Sequence, residues 1–409
     1  MLLKTKILEL TKIVSLVIIF LSFIITPEAV YSGTRQGLTT WWQIIIPSLL
    51  PFFILSKFLI KMGVIHFLGT FLEPVMRPVF NIPGSGAFAL IMGMTSGAPI
   101  NGSIASQLRN LRILTIQEGE RLIAFTSNSS LLFMASAIPI GMLNIPELGL
   151  VIVIIHYTSN IVLGIIQGQI SHIKNIRSKN DKITSDRQLY TIKDLFSKAR
   201  TTANEYLKTH YPGINKVCFQ VVSESMNSIL QIGGYIVLFS VLSNIMLELE
   251  LNLLLFRLQK QYLPWFIQEQ TLFTSLLTGL FETTVASELA ATSSQQLHEI
   301  LAVILLALGW GGISIHAQIM TVISETDLGL INFFLTRLLH GKLSVIMLYC
   351  FNFIIPLENF ALPVSQIEIV EYTFLQYWCI LFLINCSLLL LLLIVSVMFL
   401  YVSSLKVDR

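Results

Sequence analysis

The chain has 409 residues, of which 54% are hydrophobic and only 12% charged, with a formal net charge of +3. Soluble domains carry about 25% charged residues, so this composition, with a mean hydropathy of +0.76, excludes a soluble globular protein. Apolar runs near 20 residues recur from end to end, each long enough to cross a bilayer, and define an all-α polytopic membrane protein.

Lys4, Lys6 and Lys12 precede an apolar run to about Ile25. It is read as a retained first membrane helix, 11–32, because no Ala-x-Ala-type cleavage site follows. A span is expected at 41–62 and a short amphipathic stretch at 64–82. Segment 84–105 is about long enough to span, but its centre is Thr95-Ser96-Gly97-Ala98-Pro99 followed by Asn101 and Ser103. Small, polar and Pro residues there predict a re-entrant hairpin, since irregular backbone is tolerated at membrane depth only where protein or water covers it. Span 121–143 is interrupted by Thr126-Ser127-Asn128-Ser129-Ser130. A single Ser or Thr bonds back to its own helix, whereas five consecutive polar residues predict an unwound segment. A span at 147–170 follows, then a basic polar stretch at 171–220.

The second half repeats this order. It has a span at 226–247, an amphipathic stretch at 249–266, a hairpin at 270–291 centred on Glu282, and a span at 298–319 broken by Gly309-Trp310-Gly311-Gly312. Spans at 329–355 and 373–402 complete the chain. Paired, interrupted apolar segments in corresponding positions of two halves point to the binding site of a secondary transporter.

Charge placement sets the orientation. The 171–220 stretch holds Lys174, Arg177, Lys179, Lys182 and Arg187 among its basic residues, and belongs in the cytoplasm with the N-terminal lysines and Lys406 and Arg409. Asp181, Asp186 and Asp194 are interspersed, so no nucleic-acid role is expected; the stretch holds topology or touches anionic lipid. Glu248, Glu250, Glu358, Glu368 and Glu371 fall on the opposite side. Hairpin 84–105, flanked by Arg77, Arg109 and Arg112, then enters from the cytoplasm, and 270–291 from outside. The two halves thus have opposite orientation, an inverted repeat, and this holds only if both hairpins are re-entrant. Cys218, Cys350, Cys379 and Cys386 show no metal-ligand spacing and are read as reduced, the last three as packing residues; no cofactor is implied.

The motifs Trp41-Trp42, Pro47-Ser48-Leu49-Leu50-Pro51-Phe52, Gly84-Ser85-Gly86, Thr95-Ser96-Gly97-Ala98-Pro99, Thr126-Ser127-Asn128-Ser129 and Gly309-Trp310-Gly311-Gly312 carry a resemblance. Over nearly its whole length the chain resembles the YlbJ (SpoVV) family of sporulation integral membrane proteins. That family belongs to a group sharing a nucleoside-recognition "gate" domain, similar in architecture to concentrative nucleoside transporters. The resemblance divides the chain into an N-terminal helix (1–32), a first gate-type repeat (33–170), a cytoplasmic linker (171–220), a second, inverted repeat (221–355) and a C-terminal helix and tail (356–409). It implies a multi-pass protein of the outer forespore membrane that moves dipicolinic acid from mother cell toward forespore, surrounded by lipid, with a monomer and a homo-oligomer both left open.

Dipicolinate is a small, planar, doubly charged anion. Helix N-termini at broken segments offer it backbone N–H groups and a favourable dipole. Candidate contacts are Thr95, Ser96 and Gly97 at the first hairpin tip, Asn101 beside it, and Ser127, Asn128 and Ser129 in the unwound segment. The competing role of the tip is tight packing through small residues. Glu282, next to Thr283, is an ionisable group at hairpin depth and a candidate for a coupling proton or cation, unless the hairpin sits in an outer vestibule; Glu288 marks the hairpin's exit. Trp310 offers a face to a flat aromatic ligand. Arg337 is placed to pair bidentately with a carboxylate inside the membrane, with His340 on the same helix face; the alternative is that Arg337 snorkels to the cytoplasmic surface. His156 and Asn160 occupy the mirrored span, and His316 and Gln318 are expected to face the cytoplasm.

Two other classes are weaker. An intramembrane serine protease needs Gly-x-Ser-Gly, but the chain has Met94-Thr95-Ser96-Gly97. No His-Glu-x-x-His or Walker motif occurs. Within transport, a nucleoside or another small carboxylate is the alternative substrate.

Overall fold

The computed structural model describes residues 2–131, 133–178 and 192–357, and every regular element among them is helical. The expected last span, 373–402, lies outside the described residues, as do Cys379 and Cys386.

Helix α1 (Leu2–Ile25) ends where Pro27 takes the first turn of α2 (Pro27–Thr40). Proline is pre-organised for a helix start and cannot donate to the preceding turn, so the chain bends there by 98°. The first helix therefore stops at Ile25 and not near 32, and residues 27–40 begin a second helix. This helix passes through a π-helical turn, Trp41–Ile45, into α3 (Ile46–Lys61). Gly63, in the left-handed region at φ 74°, ends α3 and turns the chain by 84° into α4 (Val64–Phe80).

The hairpin expected at 84–105 is α5 (Gly86–Ser96) followed by α6 (Ala98–Asn110). Its tip is Gly97 at φ 98° and ψ 178°, a conformation open essentially to glycine alone. With 11 and 13 residues, the legs are about 16 and 20 Å long at the α-helical rise, short of the ~30 Å hydrocarbon core. Helix α7 (Ile116–Thr126) starts with a capping box between Thr115 and Glu118 and stops at Thr126. Residues 127–130 are non-helical, and a π-helical segment, Phe133–Met142, follows. The span expected at 121–143 is thus two short pieces around a break. Helix α8 (Leu148–Ser178) completes the first half.

Part of the basic stretch 171–220 is folded. Helix α9 (Ile192–His210) packs on α4, with Tyr206 stacked on His66 at 4.1 Å and Phe196 edge-on to Phe67 at 5.4 Å.

The element order of the first half then recurs: α10 (Ile214–Glu248), the short α11 (Leu251–Tyr262), the hairpin α12 (Gln270–Phe281) and α13 (Thr283–Ala291), then α14 (Leu297–Trp310), a break at Gly311, α15 (Gly312–Ile323) and α16 (Ile331–Ile354). Gly311 and Gly312 are both left-handed, at φ 86° and 71°, which is why the Gly-Trp-Gly-Gly motif breaks the helix. Among the described residues, Leu148–Ile173, Ile214–Glu248, Leu297–Ile323 and Ile331–Ile354 are long and apolar enough to span, and six spans result if each bent pair counts as one. Cys350, expected to pack, is exposed on α16, a face suited to lipid.

Helices α2 and α10 pack antiparallel, as do α8 and α16. On α2 and α10, Gly33 lies against Val241 and Gly37 against Val237, and Trp41 lies against Gly233. A Cβ on Gly33 would sit 2.7 Å from Val241 Cα, so small residues set this close approach. On α8 and α16, Ser159 meets Ser344 at 2.7 Å and Gln167 meets Thr336 at 2.5 Å.

The halves are also tied at one end of the first hairpin. Arg109 makes a bidentate pair with Asp327, both bonds 2.7 Å, and Glu120 accepts from the Gly329 N–H at 2.9 Å. The Arg109 hydrogen bonds hold the Asp327 carboxyl below the usual carboxylate range. A depressed folded-state value stabilises the fold above the unfolded value of about 3.9 and ceases to do so as pH falls through the folded value. Thermal unfolding of Asp327→Asn and wild-type protein should differ slightly at neutral pH, as for exposed pairs generally, and converge only as the pH falls below the usual carboxylate range, through the depressed folded-state value.

Candidate functional site

Each hairpin tip rests on the broken helix of its own half. In the first half, a Cβ on Gly93 would meet the Thr126 carbonyl oxygen at 2.2 Å, and one on Gly97 would meet the Ser130 nitrogen at 3.3 Å. In the second, a Cβ on Gly312 would meet the Phe281 carbonyl oxygen at 2.7 Å, and the Trp310 indole N–H donates to the Leu280 carbonyl at 3.2 Å. The small residues of both motifs are therefore close-approach points, as tight packing requires.

The unwound segment is held by asparagines. The Asn101 amide donates to Thr126 Oγ1 at 2.5 Å and Ser127 Oγ at 3.0 Å. From α8, the Asn160 amide donates to Asn128 Oδ1 at 2.6 Å and to the Phe125 carbonyl. Tyr157, on the same helix, donates its hydroxyl to the Met94 carbonyl of α5. Asn101, Asn128 and Asn160 are almost completely buried. Ser129 is in the break; the side chains of Thr95 and Ser96 lie outside the described residues. Asn160→Leu removes two donors from buried carbonyls, at about 1–3 kcal/mol for each group left unsatisfied. It should lower the unfolding midpoint by several degrees, and a variant as stable as wild type would contradict this role.

One turn before Asn160, α8 presents His156 to α16. The His156 and His340 rings are 4.4 Å apart, and His340 Nε2 lies 2.9 Å from the His156 carbonyl oxygen. Arg337, one turn earlier on α16, is 1% exposed, so it does not snorkel. Its Nη2 donates to the Leu308 carbonyl at 3.4 Å, and its Nη1 has no partner among the described residues. The ion pairs of the described residues are Lys61–Glu224, Arg77–Glu73, Arg77–Glu118 and Arg109–Asp327, so no carboxylate among them neutralises Arg337. Asn160 Oδ1 and Gln167 Oε1 are likewise buried without a partner. From Asn101 through Asn160, His156, His340 and Arg337 to Leu308, a contiguous polar seam links the first hairpin to the second broken helix.

The second hairpin's tip is built differently. Glu282 caps α13, accepting from the Val285 N–H at 2.9 Å and from Thr284 Oγ1 at 3.2 Å. Its own carboxylate thus sits at the helix N-terminus beside Thr283, where an external anion would otherwise bind. The first turn of α6 has no such side-chain cap. Trp310 packs on His316 at 4.2 Å and edge-on to Phe334 at 4.9 Å. His316, expected with Gln318 on the cytoplasmic side, is part-buried against Trp310, and Gln318 is buried and donates to Ser314 Oγ at 3.1 Å. Ser159, Gln167, Thr336 and Ser344, not singled out in the sequence, complete the seam; their signal is a polar stripe at helical spacing within apolar spans.

An open cleft of about 420 Å³ lies apart from this seam, between α2 and α13, where Gln36 donates to Glu288 at 3.0 Å. Its polar groups are bonded or exposed, so the unpartnered, buried groups of the seam are the stronger candidate for ligand binding.

These features define a multi-pass, all-helical membrane protein with helical hairpins docked on broken helices. The Gate family, described as nucleoside recognition, matches residues 42–164. Sporulation integral membrane protein YlbJ of Bacillus subtilis (strain 168) is 33% identical over 320 residues, covering 78% of this chain and 77% of that protein. The chain belongs to this family of sporulation integral membrane proteins. No solved structure matches it.

Proposed function

We propose that the chain is a transporter that moves dipicolinate from the mother cell across the outer forespore membrane during sporulation, by alternating access between two inverted halves. The observation that carries the anion is Arg337, a buried cation with no carboxylate partner among the described residues. Leaving a charge unpaired inside a membrane protein is costly and marks a functional group; a carboxylate substrate would neutralise it through the guanidinium fork. The antiparallel pairing of α2 with α10 and of α8 with α16 supports an inverted repeat, and with it a likeness to concentrative nucleoside transporters. The particular acid and membrane follow from the family resemblance.

In this reading Arg337 and His340 face the substrate, with Asn101, Ser127, Asn128 and Ser129 and the backbone at Thr95, Ser96 and Gly97 lining its path. Glu282, Thr283 and Trp310 shape the opposite hairpin. A nucleoside is the second reading, favoured by the description of the Gate family, but an uncharged ligand leaves Arg337 unneutralised. A protease reading is disfavoured because the rings of His340 and His316 are engaged with His156 and Trp310. Binding to the purified full chain tests the substrate class: dipicolinate should bind and resist displacement by excess uridine. Uridine binding with no dipicolinate binding would reverse the assignment.

A further inference from the structure

The His156–His340 pair does more than line the seam. Both imidazoles are fully buried. A carbonyl oxygen only accepts, so the His340 Nε2 facing the His156 carbonyl carries the hydrogen, and His340 Nδ1 keeps its lone pair. That Nδ1 has no partner among the described residues, and neither nitrogen of His156 has one. A pair held only for packing would leave fewer ring nitrogens unsatisfied, because buried polar groups are normally bonded.

Charge balance gives these nitrogens a use. Resting on the reading above, the cargo is a dicarboxylate with two negative charges. Arg337 supplies one positive charge. The other buried cations among the described residues are committed elsewhere, Lys57 to Ser228 and Arg121 to Ser171 and Asn81. A dianion at Arg337 alone would keep one uncompensated charge in a buried site, which is unfavourable. The histidine pair has room for one proton: two imidazolium rings 4.4 Å apart would repel.

We propose that the His156–His340 pair is a proton site that loads together with a doubly charged anion, so that one proton travels with each dicarboxylate. Without the anion, a proton on the pair would be opposed by burial and by the unpaired charge of Arg337; with it, that repulsion is offset and the remaining carboxylate charge favours the proton. Linkage is reciprocal, so protons also tighten dianion binding. The titratable groups facing the pair are Arg337 on α16 and Tyr157 on α8, whose ring is 6.0 Å from His156. The charged groups of α4 and α7 are turned elsewhere: Glu73 and Glu118 bind Arg77, Glu120 binds Gly329, and Arg121 binds Ser171. On α14, His298 meets Tyr349, more than two turns from His340, and Glu299 adjoins it.

The test is calorimetric titration of the full chain in detergent with dipicolinate and with picolinate, its single-carboxylate relative, in buffers of different ionisation enthalpy. Wild-type protein should take up about one proton per dipicolinate and none per picolinate. A His156→Gln/His340→Gln variant should lose the uptake, and its preference for dipicolinate over picolinate should fall about tenfold. Dipicolinate binding without proton uptake, or uptake that survives in the variant, overturns the proton site and leaves the anion reading intact. Failure of folded wild-type protein to bind either acid overturns both. If the double variant does not fold, His156→Gln alone takes its place, and dipicolinate-linked uptake that survives in it overturns the proton site.

Discussion

Arg337→Met should abolish dipicolinate uptake while leaving the protein as stable as wild type or more stable. Two physical effects pull in opposite directions at this residue. For the fold, a buried guanidinium with one bonded nitrogen at 3.4 Å and another unpartnered is a burden. Replacing buried ions by apolar side chains of similar volume is often neutral or stabilising by about 1–4 kcal/mol. For transport, the same charge is what a carboxylate recognises. Thermal unfolding in detergent and uptake into vesicles, measured on one preparation, separate the two. A structural role for Arg337 predicts that both fall together. Arg337→Lys keeps the charge but loses the planar fork, and should retain binding at reduced affinity.

Gly309→Val should be among the most damaging single changes in the chain. A Cβ at this position would lie 2.3 Å from Gly341 Cα and 2.5 Å from its nitrogen, with the His340 carbonyl carbon at 3.0 Å. These are backbone atoms of α16, so no side chain can swing aside, and α14 and α16 must separate. Overpacking of this kind costs about 1–3 kcal/mol and sometimes more, and the displacement falls where His340 meets His156. The variant should therefore lose both thermal stability and substrate binding. Gly234→Ala is the matched control. Nothing lies within 4 Å of its Cβ, and it sits inside α10, where alanine should add about 0.5–1 kcal/mol through helix propensity. Equal effects of the two substitutions would contradict the packing described for α14 and α16.

The hairpins and breaks were legible in the sequence because their signals are local. The cluster from Thr95 to Pro99, the five polar residues from Thr126 and the glycines around Trp310 each interrupt an apolar run, and each marks a tip or a break in the structure. The boundary at Pro27 was misplaced because apolar and small residues continue past the bend. That the linker contains α9 packed on α4 was not legible, because its basic residues mask an apolar face carrying Phe196 and Tyr206. Glu282 stood out as an ionisable group at the hairpin tip; that the same carboxylate also caps α13, through the 2.9 Å bond from the Val285 N–H, is visible only in the structure. The seam was half visible. Arg337, His340, His156 and Asn160 stand out as polar residues in apolar spans, but the contact between His156 and His340 joins positions 184 apart, and no local pattern encodes it.

The most direct measurement is dipicolinate uptake into proteoliposomes carrying the purified protein, with wild type and Arg337→Met side by side. The account predicts accumulation by wild type and none by the variant, with both proteins folded and inserted. Absence of uptake by inserted wild-type protein under proton and sodium gradients alike, or equal uptake by the two, would contradict a carboxylate transporter built around Arg337.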